Sequence, residues 1–215
     1  VNEIAKMISE VDPAHPATSV LAGISKREVH YIKESCPYIS VLSINTYGGL
    51  AGLPQQVRSV GWEGPYIVTE WGPTGHWEGL QTEWKMPIEE TSSEKAAVYK
   101  SRYEYSVERD REKCLGSYVF LWGQKQERTP TWYGLFTEKG EESEVIDVMH
   151  YLWSGRWPAN QAPHIYSFQV DGKKAMENVY LKPGVSYNVL AVAVDPNSDK
   201  LTYRYELLPE PTKVG

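Results

Sequence analysis

Gly64-Pro65-Tyr66-Ile67-Val68-Thr69-Glu70-Trp71-Gly72 is the stretch that decides how this chain folds. Tyr66, Ile67 and Val68 form an unbroken run of β-formers; Pro65 starts the run and Gly72 stops it. A strand without polar alternation belongs in a parallel sheet covered by helices. In barrels built that way, the chemistry gathers at the C-terminal strand tips. Glu70 falls at such a tip, with Trp71 next to it. The alternative reading is a strand-end glutamate that only meets water.

Working outward, strand-then-helix units can be counted four times. Residues 1–11 form a helical stub with Ile4, Met7, Ile8 and Val11 on one face, ended by Asp12-Pro13 and His15-Pro16. Residues 19–24 are the first strand. Ser25 caps the next helix, with Glu28 at capping-box spacing and Val29, Tyr31 and Ile32 following. Residues 38–47 are the second strand, 54–60 a short helix, 66–70 the third strand and 115–122 the fourth. A long helix over 94–113 follows the cap Ser92-Ser93, and a last one over 143–153 is ended by Gly155. Strands alternating with helices imply parallel pairing with right-handed crossovers. The long loops, 72–91 and 123–140, follow strands rather than precede them, as functional loops of a barrel do.

The composition changes at Pro158-Ala159-Asn160-Gln161-Ala162-Pro163, a linker. Beyond it, residues 165–170, 174–181, 185–195 and 201–208 alternate with period two, and Pro183-Gly184 and Asp195-Pro196-Asn197 supply turns. This is the pattern of an antiparallel sandwich, although a complete immunoglobulin-type sandwich takes about 100 residues. The expected domains are therefore 1–157, a linker at 158–163, and a partial sandwich at 164–215.

The composition narrows the function. A net charge of −6 over 215 residues argues against a nucleic-acid partner. No apolar run is long enough to span a bilayer. Two cysteines, Cys36 and Cys114, are too few for a disulfide scaffold or a metal cluster, and suit small buried positions; a bridge between them stays open. His30, His150 and His164 lack metal-ligand spacing, so no metal or cofactor is expected. Eight Trp and 15 Tyr against 3 Phe favour rings with a polar edge, which suit sugar stacking as well as ordinary cores. The chain opens on Val1 inside a helical pattern and is expected to be a piece of something longer, with any targeting segment upstream.

Three segments together carry a resemblance: Ser43-Ile44-Asn45-Thr46-Tyr47, Ile67-Val68-Thr69-Glu70-Trp71-Gly72 and Tyr118-Val119-Phe120-Leu121-Trp122-Gly123. They resemble the last three barrel strands of retaining glycoside hydrolases, the (β/α)8 enzymes of the clan that includes β-galactosidase-like and cellulase-like families. Residues 2–20 look like that family's fourth helix and fifth strand, so residues 1–157 would supply strands five to eight of a TIM barrel. The resemblance implies a secreted, periplasmic or cell-surface enzyme hydrolysing β-linked glycosides with retention. It makes Glu70 the nucleophile and Tyr47 the residue that hydrogen-bonds and orients it. Trp122 becomes the floor of the sugar site; beside what the resemblance implies, Trp71 and Asn45 near the strand tips and His76 and Trp77 in the loop after the third strand are candidate substrate contacts. Glu78 and Glu83 are alternative carboxylates on a less rigid loop, and Gln124, Lys125 and Glu127 are candidates for outer subsites.

Retaining hydrolysis requires a second carboxyl about 5–5.5 Å from the nucleophile. In the family that acid follows strand four, as an Asn-Glu pair. Asn2-Glu3 is not that pair, because it lies inside a helix. The acid is thus expected outside this chain, and the missing half-barrel would come from further sequence, another chain or a homo-oligomer. Four strands do not close an eight-stranded barrel. A non-catalytic carbohydrate-binding or surface scaffold on a barrel remnant is the alternative. An aldolase or phosphate-binding barrel would want a strand-end Lys or a Gly-rich loop, and Gly72-Pro73-Thr74-Gly75 is a weak match beside so many Trp. The second module resembles cadherin-like or polycystic-kidney-type domains, whose turns can bind calcium; Asp195 and Asp199 are few for such a site, and a plain turn is favoured.

Overall fold

The computed structural model describes residues 1–211. The chain is α/β, with one four-stranded parallel sheet and one two-stranded antiparallel sheet. Packing divides it into two compact units, residues 1–72 with 101–120, and residues 73–100 with 121–215.

The first unit holds α1 (Asn2–Val11), β1 (Ala17–Ala22), α2 (Lys26–Ser35), β2 (Ile39–Asn45), α3 (Leu53–Ser59), β3 (Tyr66–Trp71) and β4 (Cys114–Val119). The strands pair in chain order, β1-β2-β3-β4, all parallel. Each crossover carries a helical segment, which is why the alternation in the sequence was readable. One face of the sheet is sealed. Leu42, Ile44, Tyr66 and Val68 are fully buried, and Val29 and Ile32 of α2, Leu53 and Val57 of α3 and Val107 are buried in the same unit. The other face is open toward both edges, where Val20 of β1 and Leu115 and Tyr118 of β4 stand exposed. The apolar face expected of α1 is likewise uncovered: Ile4, Met7 and Val11 are exposed and only Ala5 is buried.

Local chemistry explains the boundaries. The Ser25 hydroxyl accepts the Glu28 N–H at 3.3 Å and donates to the Glu28 carboxylate at 2.7 Å, a reciprocal cap on α2. α4 (Ser92–Tyr103) starts after Thr91, not after the expected serines. Thr91 Oγ1 accepts the Glu94 N–H at 3.3 Å, and Glu94 accepts the Thr91 N–H at 2.8 Å. The helix expected to run on to residue 113 changes at Glu104–Glu108 into a π-helical turn, closed by the Arg109 N–H donating to the Glu104 carbonyl at 3.1 Å. At the start of β3, the Tyr66 hydroxyl donates to the buried Asp110 at 2.6 Å, and Arg58 pairs with the same carboxylate. Cys36 and Cys114 are both buried free thiols, unbridged.

In the second unit, α5 (Glu144–Ser154) ends on Gly155 in the left-handed conformation (φ 71°). β5 (His164–Val170) and β6 (Val189–Val194) pair antiparallel. The expected strands at 174–181 and 201–208 do not form. The first holds a 3-10 turn, Ala175–Glu177, and the second no strand at all. A strand needs a neighbour for its backbone groups, and the antiparallel sheet formed by the described residues has only two. The sandwich is therefore corrected to a two-stranded ribbon. Residues on both sides of the 158–163 stretch belong to this unit: the Ala162 N–H donates to Asp147 Oδ2 at 2.7 Å, and the Ile165 N–H to Ser93 Oγ at 2.7 Å. No helix among the described residues is long and apolar enough to cross a membrane.

Candidate functional site

At the C-terminal ends of β2 and β3, Asn45 lies opposite Glu70, after a register shift between Ile44 and Asn45. Asn45 Nδ2 donates to Glu70 Oε2 at 3.0 Å, and the Tyr47 hydroxyl donates to Oε1 at 2.8 Å. Thr69 Oγ1 donates to Asn45 Oδ1 at 2.8 Å, which fixes the orientation of the amide. The Thr46 N–H donates to the Glu70 carbonyl at 2.8 Å. Both carboxylate oxygens thus have a donor, and the carboxylate is held in one orientation on a strand end. The group is only part-buried.

Tyr47 is itself braced. A 3-10 turn, Gly48–Gly52, starts from it, with the Leu50 N–H donating to the Tyr47 carbonyl at 3.0 Å. Leu50 is fully buried, and its carbonyl accepts the hydroxyl of buried Ser106 from the π-helical turn. A Cβ at Gly49 would lie 2.7 Å from Thr46 Oγ1, so the turn closes tightly at this glycine. The Phe120 ring meets Tyr47 edge-on, with centroids 6.2 Å apart.

Trp71 does not join this group. Its side chain is 0% exposed and lies against Tyr103, with centroids 6.1 Å apart. The expectation that it contacts a sugar is corrected: β3 shifts register between Val68 and Trp71, and this break in the alternation turns the Trp71 ring into the core with Tyr66 and Val68. The amide of Asn45, expected at the substrate, donates to Glu70 and accepts from Thr69.

The remaining candidates belong to the second unit. Trp122 lies beyond the end of β4, 57% exposed, with Phe136 at 5.4 Å and Trp153 at 6.0 Å between ring centroids. Trp77 is also 57% exposed and stacks over Tyr133 at 6.4 Å. The His76 side chain is mostly buried; Nδ1 lies 2.8 Å from Tyr133 Oη, and its backbone N–H donates to the same oxygen at 3.2 Å. Burial, with the Arg128 charge second, lowers the His76 pKa, and burial pushes the Tyr133 phenol up to about 12. Glu78 accepts the Gly75 N–H at 2.9 Å, and Lys125 pairs with Glu127 at 2.6 Å. Gln124 donates to the Pro130 carbonyl at 3.2 Å, while Glu83 offers its backbone N–H to Asn178 at 2.9 Å.

Asp195 Oδ1 accepts the N–H groups of Asn197 and Asp199 at 2.8 and 3.1 Å, the bonding of a plain turn. Among the described residues, no group of three or more His, Cys, Asp or Glu is placed to hold a metal. A cavity of about 820 Å³ opens in the first unit beside β1 and α2, lined by Leu21, Tyr31 and Ile32 among others, and not by Glu70.

Thr69, Ser106, Tyr133 and Arg128 were missed by sequence reasoning. Thr69 carried a signal, since it adjoins Glu70 in the opening stretch. Nothing local marked the other three. No protein-family model matches this chain, and neither does any curated protein sequence.

Proposed function

We propose that this chain carries the nucleophile half of a retaining β-glycosidase barrel. The observation that supports it best is the carboxylate of Glu70, at the C-terminal end of a parallel strand, with the Tyr47 phenol at 2.8 Å and the Asn45 amide at 3.0 Å. On this reading Glu70 attacks the anomeric carbon and its C–O bond to the departing sugar oxygen breaks. The glycosyl-enzyme ester is then hydrolysed, with a second carboxyl from outside this chain acting as acid and then as base. Tyr47 and Asn45 hold the attacking oxygens in line. The open face of the sheet, with Val20, Leu115 and Tyr118 exposed, is where the other barrel strands would close over the site. Such an enzyme would act on β-linked glycosides as a secreted, periplasmic or cell-surface protein.

The test is hydrolysis of an aryl β-glycoside panel by the protein that includes the complementary barrel half. Glu70→Gln should lower kcat by orders of magnitude and leave glycoside binding intact. Tyr47→Phe should lower kcat by about 10- to 100-fold, the worth of a hydrogen bond to a charged group. Turnover unchanged in Glu70→Gln would reject the reading. Clear turnover by a monomer of these 215 residues would reject the external acid.

A further inference from the structure

We propose that Arg128, in the second unit, is the centre of a subsite for an oxyanion carried on a sugar, a uronate carboxylate or a sulfate ester. The proposal rests on the glycoside reading for the sugar that bears the charge; the anion site is argued from the loop itself.

Arg128 sits at the apex of a pinched loop. The Thr129 N–H donates to the Glu127 carbonyl at 2.7 Å, and the Glu127 N–H returns a bond to the Thr129 carbonyl at 3.2 Å. Two residues bonded to each other across a single intervening one force that residue into a γ-turn, and Arg128 takes φ 60°, a conformation that side-chain-bearing residues rarely adopt. Such conformations persist only where the surroundings hold them, and they gather at ligand clamps. The apex is pinned: the Thr129 and Thr131 hydroxyls both donate to Glu89, which also pairs with the deeply buried Lys95.

The guanidinium so presented has no partner. It forms no ion pair and no hydrogen bond with any described residue, and its Nε is buried with no acceptor. Glu127, next to it in the chain, turns its carboxylate to Lys125 at 2.6 Å and to His76 at 3.8 Å. Burying part of a guanidinium without an acceptor is unfavourable, and folding gains nothing visible in return. The loop borders an aromatic cluster: the carboxylate of Glu127, next to Arg128 in the chain, lies 3.8 Å from His76, whose ring meets the exposed Trp77 edge-on at 4.9 Å between centroids, and Trp77 stacks on Tyr133. A planar fork of donors beside a flat aromatic surface matches an acidic sugar: the fork takes two oxygens of the anion, and the ring takes the C–H face of the pyranose.

Titration calorimetry on the 215-residue chain at low ionic strength tests this with four probes: a glucuronate-terminated disaccharide, its neutral glucose counterpart, the 6-O-sulfated form of that counterpart, and inorganic sulfate. At least one acidic disaccharide should bind about 10-fold or more tightly than the neutral one, and the stronger of the two identifies the anion. Arg128→Gln should erase the preference while leaving neutral binding unchanged. Arg128→Lys, which keeps the charge without the fork, should recover only part of it and serves if the Gln variant does not fold. Equal binding of acidic and neutral probes, a preference that survives Arg128→Gln, or inorganic sulfate binding as tightly as the disaccharides would each overturn the proposal. Failure of the glycosidase reading shows up separately, as unchanged turnover in Glu70→Gln with this preference intact.

Discussion

Glu70 stood out at the scale of one residue because a carboxylate closing an apolar strand is conspicuous; the bond from Tyr47 was an expectation of the resemblance, whereas the bond from Asn45 was not foreseen, because its amide was read as a substrate contact. Trp71 was misplaced by reading chain adjacency as spatial adjacency, when an irregularity in β3 between Val68 and Trp71 turns its ring into the core. Asp147 carried no signal in the sequence. It is 2% exposed; Oδ2 accepts the Ala162 N–H at 2.7 Å, and Oδ1 is buried without a partner. Burial first, then the Glu142 and Glu144 charges, raise its pKa above the ordinary carboxylate value. The folded state therefore holds the proton more tightly than the unfolded chain does. Its stability falls as pH rises from the unfolded pKa, about 3.9, through the raised folded value. Asp147→Asn should raise Tm at pH 7, with the gain shrinking to nothing as pH approaches 3.9. Melts of the two proteins across that range check it, and a variant no more stable than the parent at pH 7 would contradict it.

Elements were read well where local chemistry fixes them. The Ser25–Glu28 cap and the left-handed Gly155 stop follow from residue type and spacing alone. Period-two segments were read less well, because alternation states only which face is wet. It does not supply a neighbouring strand, so residues 174–181 and 201–208 remain unpaired in the ladder sense. The π-helical turn Glu104–Glu108 was equally hidden, since a contact that holds it is remote in sequence. Ser106 shows the link, with its hydroxyl on the Leu50 carbonyl behind Tyr47. Ser106→Ala leaves that buried carbonyl without its donor and should cost about 1–3 kcal/mol. Urea unfolding measures this; a change below a few tenths of a kcal/mol would mean the bond does not hold the turn.

For the whole molecule, the parallel sheet of four strands was legible from their alternation with helices. The division of the packing was not, because residues 73–100 join 121–215 through contacts remote in sequence. The uncovered apolar positions of the first unit have a measurable consequence. With Ile4, Met7, Val20, Leu115 and Tyr118 exposed, the folded chain should bind the hydrophobic dye ANS, which tightly closed proteins do not. Val20→Lys together with Ile4→Lys should reduce the dye signal with little change in Tm; an undiminished signal would locate the sticky surface elsewhere. The two thiols offer a clock of a different kind. Cys36 and Cys114 are the only cysteines, both are sealed, and both lie in residues 1–72 or 101–120. An alkylating reagent can reach sulfur only when that unit opens, and it is blind to the other. The rate of thiol capture under native conditions, set beside a global melt, therefore separates the breathing of one unit from the unfolding of the whole.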